Sequence, residues 1–398
     1  MDFADFIAPM PLERFMADHF GRRPLHLKAE GEAGERRRAL LSWPRLGDLL
    51  SILPHWTEAN IKLILDGQPV APAHYMIEAE TASGRVPRAS PAQVETFLAM
   101  GASLVADGVE DIAPEIKAAT AMLSAQFAGK AGANAYCSFQ GIQAFPSHCD
   151  LHEVFAVHCE GEKIWRVYKN RAADPVAQIE GEGAQAIIDR VKGRVMMKAR
   201  MQPGDLLYIP RGYYHDALAS AEASLHLSLA VLPHTGRILF RKLEELAMKD
   251  PAFRAYLPDG RQGGGGPLRA RLEELAGRIG DLMRTPRFAT EVILSQRALA
   301  DPPHDFDLPN RPALDFHART ERAARVVDRD EDSFLQIGDE EIALGDLAEP
   351  AAWLLDLPAF STQQLLARYP WRARAELEAL ATLLRDKQLF TPYRPSLH

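Results

Sequence analysis

Cysteine is scarce: 398 residues hold three, Cys137, Cys149 and Cys159, an odd number without Cys-x-x-Cys spacing. They cannot form a fully paired disulfide framework, and a reducing, intracellular setting is expected. Long apolar runs are absent as well. No stretch resembles a membrane span, and the start "MDFADFIAPM" lacks a basic segment followed by an apolar core, so cytoplasmic localisation is the default expectation. Excess positive charge is also missing. A formal net charge of -8 gives no global reason to expect a nucleic-acid or acidic-membrane partner. What is there is a globular composition, 47% hydrophobic and 25% charged. The chain is long enough for two or three domains.

Residues 1–120 read as mixed. "PLERFMADHF" predicts a short helix and "GRRPLHLKA" a turn into a strand. "SWPRLGDLLSIL" and "SPAQVETFLAMGASLVADGV" predict two further helices, the second with Ser90 as N-cap and Pro91 at the first helical position. From Ala133 to Pro233 short apolar runs alternate with Gly, Pro and charge: "EVFAVHC", "KIWRVYK", "RVMMKARM", "DLLYIP" and "SLHLSLAVL". "EGE" and "QPGD" read as turns between strands, which favours a barrel or sandwich over βαβ units. "GAQAIIDRVK" is a connecting helix or loop.

After Thr235 the helical period returns. "RILFRKLEELAMK" sets Leu239, Leu243 and Leu246 on one stripe, and a glycine-rich loop runs from Asp259 to Gly266. "PLRARLEELAGRIGDLM" and "ATEVILSQRALA" predict two more helices. "DPPHDFDLPNRP" reads as a boundary, and "STQQLLARYP" and "RARAELEALATLLRDKQLF" as the helices of a small winged-helix-like domain. The acidic "VVDRDEDSFLQIGDEEIALGD" ahead of them would be repelled by phosphates, so direct nucleic-acid binding is not expected.

The chemistry concentrates in "FPSHCDLHEVFAVHCEGEKIWRVY". In a strand, residues two apart share a face, which would present His148 and Asp150 together with Cys149 opposite. A third metal ligand would come from His215, in "MQPGDLLYIPRGYYHDALA". Two imidazoles and a carboxylate suit non-haem iron(II), which keeps coordination positions open, and zinc can use the same atoms. The plainer alternative is three hydrogen-bonded residues at strand ends. If "EGE" folds the chain back, Lys163 lies beside this site, where an ammonium can pair with the distal carboxylate of 2-oxoglutarate. Asn134 and Tyr136, alternating on "NAYCS", offer amide and hydroxyl groups to the same pocket. His152, His158 and Asp216 are expected to support the site or lie on the surface.

Together, "SHCD", "VFAVHCEGEKIWRVY", "PGDLLYIPRGYYHDA" and "SLHLSLAV" resemble the JmjC ribosomal oxygenases of the cupin superfamily. These are protein hydroxylases dependent on Fe(II), 2-oxoglutarate and O2. The resemblance implies a mainly β catalytic core, a double-stranded β-helix, at 1–234. A helical dimerisation region would follow at 235–305 and a winged-helix-like domain at 306–398. It implies His148, Asp150 and His215 as iron ligands and catalytic residues. It also implies Lys163 on the cosubstrate carboxylate, Tyr136 and Asn134 around the cosubstrate, and His226 further along the pocket. A homodimer acting on a histidine or arginine of a ribosomal protein follows from the same likeness. Arginine-hydroxylating bacterial members carry arginine where this chain has Lys163, so the lysine is more like the histidine-hydroxylating branch. A cupin metalloenzyme of small molecules and a non-catalytic regulatory binding protein stand as alternatives.

Overall fold

The run "EVFAVHC" is apolar at successive positions, as suits a strand covered on both faces, and it begins the central strand of the molecule. The computed structural model describes residues 1–81, 84–139, 146–300, 315–329 and 332–393. The chain opens with α1 (Phe3–Ile7), α2 (Leu12–Asp18), β1 (Leu25–Leu27), α3 (Gly31–Arg38), α4 (Trp43–Leu50), β2 (Ile61–Leu65) and β3 (Gln68–Pro69). The pair β4 (Met76–Thr81) and β5 (Gly84–Ala89) follows, then α5 (Pro91–Ala99), β6 (Ser103–Asp107), α6 (Pro114–Phe127) and β7 (Gly129–Phe139). The central β8 (Glu153–Arg171) leads to α7 (Ala184–Val191), β9 (Val195–Met201), β10 (Leu206–Ile209) and β11 (Tyr213–Pro233).

β8 pairs antiparallel with β11; its other edge takes β10 against Val154–Val157 and β9 against Lys163–Tyr168. The sheet continues from β11 through β7, β6 and β2 to β3, and from β10 to β1. This is the expected cupin-like antiparallel core, with no βαβ unit among the described residues.

The expected turn at "EGE" does not exist: β8 runs through it. The pairing gains one residue on β8 between His226↔His158 and Leu225↔Glu160, and Gly161 beside it takes a φ of +70°. A Cβ there would sit 1.9 Å from the Ala223 carbonyl oxygen, so only glycine fits. The extra residue exchanges the faces of the strand. Before it Phe155, Val157 and Cys159 enter the core under the N-terminal helices, while Val154 and Ala156 face the second core. After it, Trp165 and Val167 face that second core, with Ala199, Met201, Leu207 and Ile209. An odd-numbered lysine thereby joins the side of the strand that carries Val154.

The larger core is aromatic. Phe3 meets Phe15, Phe127 and Phe155 with centroids 5.4, 5.0 and 5.7 Å apart, and Phe155 meets Tyr208 at 4.9 Å. Arg37 of α3 is fully buried and donates to the carbonyls of Gly204, Phe6 and Ala8 at 2.8, 2.8 and 3.0 Å. That guanidinium ties the N-terminal helices to the turn before β10.

Other readings change in detail. The helix from Pro91 stops at Ala99, and the apolar "SLVAD" after Gly101 is β6. Ser90 is its N-cap, without a side-chain hydrogen bond. α6 was not anticipated, and "GAQAIIDRVK" is helical as α7.

The chain divides into two compact units, Met1–Pro303 and His304–His398. The first includes α8 (Arg237–Ala247), α9 (Pro251–Arg254), α10 (Gly266–Arg284) and α11 (Pro286–Ala300). Leu239, Leu243 and Leu246 are half-buried on α8. "DPPHDFDLPNRP" lies outside the described residues. The second unit contains β12 (Phe316–Arg319), β13 (Arg325–Arg329), β14 (Asp332–Ile337), β15 (Glu340–Ala343), α12 (Ala348–Leu355), β16 (Ala359–Ser361), α13 (Thr362–Arg368), α14 (Arg374–Asp386) and β17 (Phe390–Pro392). The acidic segment supplies β13 to β15, and Ser361 and Gln364 form a capping box at α13. Its core is built on Leu335, Phe360, Leu365 and Leu377.

Candidate metal centre

His148 and Asp150 lie in the segment ahead of β8, not in a strand as expected. A single bridge replaces the strand: His148 N donates to His215 O at 3.0 Å, and His215 N to His148 O at 2.8 Å. The Asp150 carbonyl accepts from Gly212 N at 2.9 Å. These backbone bonds set both ligand segments side by side.

One ligand atom each from His148, Asp150 and His215 falls within 4.8 Å of the others. His215 Nε2 stands 3.3 Å and His148 Nε2 3.9 Å from the Asp150 carboxylate. Each ring's Nδ1 is 3.0 Å from a backbone carbonyl, Pro146 for His148 and Tyr213 for His215. A carbonyl only accepts, so Nδ1 carries the proton and Nε2 keeps its lone pair for a cation. Burial opposes charge on Asp150, but His215 and His148 outweigh it and hold its pKa well below the ordinary carboxylate range. Burial likewise opposes charge on His215, yet the Asp150 carboxylate raises its pKa. Burial, with the neighbouring His215, lowers that of His148. Two imidazole nitrogens and a carboxylate held this way fit a divalent metal.

The three open onto a cavity of about 200 Å³ that is also lined by Asn134, Tyr136, Lys163 and His226. All seven residues singled out in the sequence are therefore gathered in one place. Lys163 is 3% exposed, and its ammonium donates to Ser138 Oγ at 3.2 Å. Burial pushes its pKa down to about 8. The Tyr136 ring stacks on His226 with centroids 4.8 Å apart and planes 9° from parallel. Burial, then the charge of Lys163 and His158, keeps His226 neutral. Burial also raises the Tyr136 phenol, which stays protonated.

Sequence reasoning passed over Trp165, which lines the cavity with its ring centroid 5.8 Å from that of His215 and 5.4 Å from that of His226. Its spacing of two from Lys163 on one strand was the available signal. Ser228 was missed too. Asp216 and His158 are not surface residues: both are buried. Asp216 accepts from Arg166 and Ser147 at 2.6 Å and from Tyr168 at 2.7 Å.

Residues 110–239, which carry this whole constellation, match the family model of the JmjC domain. Over these residues the chain is similar to JmjC domains. JmjC oxygenases use Fe(II) and 2-oxoglutarate, and the donor set around Asp150 suits the metal. Among curated relatives, this chain is 34% identical to ribosomal oxygenase 1 of Rattus norvegicus over 144 residues, 36% of this chain and 24% of that protein. Likeness to the human protein of that name is 29% over 235 residues, 57% of this chain and 34% of the other. To the bifunctional lysine-specific demethylase and histidyl-hydroxylase NO66 of Dictyostelium discoideum it is 26% over 264 residues, 64% and 48%. The chain thus spans about a quarter to a half of these relatives' length. Among solved structures, YcfD, a ribosomal oxygenase from Escherichia coli in complex with cobalt and 2-oxoglutarate, aligns over 96% of this chain and 98% of that chain, at 16% identity and a TM-score of 0.49.

Proposed function

We propose that this JmjC protein is a 2-oxoglutarate-dependent oxygenase that hydroxylates a side chain of a ribosomal protein, histidine in preference to arginine. The observation that carries the reading is one cavity with a two-histidine, one-carboxylate cluster and a buried lysine. Bound Fe(II), 2-oxoglutarate and O2 would supply the oxidising power to hydroxylate an unactivated C–H bond.

The residues supply placement. His148, Asp150 and His215 would hold the metal from one side, leaving the cavity side open for ligands. Lys163, desolvated and still mostly charged at neutral pH, would pair with the far carboxylate of the cosubstrate. Trp165 and the Tyr136–His226 stack wall the cavity and exclude water.

Charge supports histidine. Among the described lining residues, the carboxylates are Asp150, committed to the metal, and Asp216, already holding three donors. A guanidinium would enter without an anion to meet it and close to a buried ammonium. A neutral imidazole would meet Asn134, Tyr136 and Ser228, each able to hydrogen-bond it.

The same reading places the protein in the cytoplasm with its substrate; among the described residues no helix is long and apolar enough to cross a membrane. It also makes the protein a homodimer through α8, α10 and α11, where Phe240, Leu272 and Ile293 are exposed. Sizing chromatography at two concentrations tests the dimer. Anaerobic titration with Fe(II) and 2-oxoglutarate should produce a metal-to-ligand charge-transfer band, and its absence from metal-loaded protein would sink the oxygenase reading. Mass spectrometry of ribosomal proteins with and without the enzyme should show a gain of one oxygen atom on histidine; a gain on arginine would overturn the preference.

A further inference from the structure

The segment that carries His148 is tied to β8 and β11 by a cluster of hydrogen bonds centred on Asp216. Ser147, next to the ligand His148, donates its hydroxyl to Asp216 Oδ2 at 2.6 Å, and Asp216 is next to the ligand His215. Arg166 Nε donates to Asp216 Oδ1 at 2.6 Å and Tyr168 OH to Oδ2 at 2.7 Å, both from β8. Lys192, just beyond α7, donates to Ser147 Oγ at 2.9 Å and lies over the Tyr168 ring, 4.6 Å from its centroid. The Asp216 side chain is 1% exposed and that of Lys192 18%.

The consequence is mechanical. Among the described residues the ligand segment is held to the sheet by the His148–His215 bridge and the Gly212–Asp150 backbone bond, and side-chain grips add to these. Ser147 Oγ accepts one hydrogen bond from Lys192 and gives one to Asp216, which fixes its hydroxyl proton and joins three separate pieces of chain. We infer that Ser147 and Asp216 are positioning residues that set the metal affinity of the site by holding the His148 segment against β11. This rests on the metal-centre reading above.

The test is Co(II) binding to the full-length protein, followed by visible absorption and calorimetry. Ser147→Ala removes the link to the ligand segment and leaves the Asp216–Arg166–Tyr168 bonds in place, so the fold is kept. It should weaken Co(II) binding about 10–100-fold, while the metal-free protein still melts cooperatively with only a small fall in melting temperature. Ser147→Thr, which keeps the hydroxyl, should recover most of the affinity. Asp216→Asn should lose affinity as Ser147→Ala does. Equal Co(II) affinity in wild type and Ser147→Ala would overturn the inference while leaving the metal centre standing. A loss of affinity that Ser147→Thr does not recover would also count against it, since bulk rather than the hydroxyl would then matter. If wild type itself takes up no Co(II), the metal-centre reading fails and takes this inference with it.

Discussion

Replacing Lys163 by methionine should make the ligand-free protein more stable while removing the cation proposed to pair with the cosubstrate's far carboxylate. The ammonium is nearly fully buried and donates to the Ser138 hydroxyl. Desolvation takes its pKa from the ordinary 10.5 to about 8, which corresponds to about 3 kcal/mol of strain on the charged form. Methionine has similar length and no charge to desolvate. The Ser138 hydroxyl loses a partner, which returns about 1 kcal/mol, so the net gain is about 2 kcal/mol. For a unit of this size that is a rise of roughly 4 °C in melting temperature.

The sign depends on pH. Below pH 8 both folded and unfolded chains keep the proton, and the full penalty is present. Between pH 8 and 10.5 the folded protein releases the proton while the unfolded chain retains it, so the penalty shrinks. The advantage of Lys163→Met should therefore be largest at and below pH 7.5 and vanish above about pH 10.5. Thermal melts of both proteins across this range, with 2-oxoglutarate binding by calorimetry, make the comparison. A variant less stable than wild type at pH 7, or an advantage that does not change with pH, would refute the reasoning.

Metal uptake should weaken on acidification: Asp150 raises the His215 pKa above its ordinary 6.5, so a proton competes for Nε2 and Co(II) affinity should fall about tenfold per pH unit below that value. A Co(II) affinity that is flat between pH 5 and 7 contradicts this. Arg37→Met strands the carbonyls of Gly204, Phe6 and Ala8 and should cost about 3 kcal/mol by chemical denaturation; a loss under about 1 kcal/mol would mean that water or the chain re-satisfies them. Gly161→Ala forces a Cβ against the Ala223 carbonyl and should cost about 2–4 kcal/mol and weaken dicarboxylate binding with it. Wild-type melting in that variant would show that the chain relaxes there freely.

The site was more legible than the path that builds it. His148, Asp150 and His215 stand out because their residue types carry the chemistry, whatever backbone holds them. The backbone was misread in two places for one reason: sequence periodicity assumes regular pairing. His148–Asp150 share a face through a single bridge and a tethered segment, which no alternation encodes. "EGE" has the composition of a turn, yet paired neighbours on β11, β10 and β9 keep β8 extended and leave the glycine next to a bulge. Asp216 was expected to support the site or lie on the surface; its three donors, from residues 147, 166 and 168, are contacts that exist only after folding. α6 was missed because its apolar positions, Ile116, Ala119, Thr120 and Leu123, include small and polar residues that bury well but mark the stripe weakly.

The extra residue of β8 has a consequence for how this protein can vary. A pleated strand keeps a binary count, and the bulge beside Gly161 is where that count is reset between the metal segment and Lys163. Substituting another cation at 163 leaves the count intact and changes the proposed carboxylate partner alone. Deleting one residue between His158 and Lys163 would reverse it, sending Lys163 and Trp165 to the opposite side of the sheet while the metal cluster stayed in place. The two halves of the cavity are thus independent in chemistry and locked in parity, so this stretch can tolerate exchange of residues far better than a change of length.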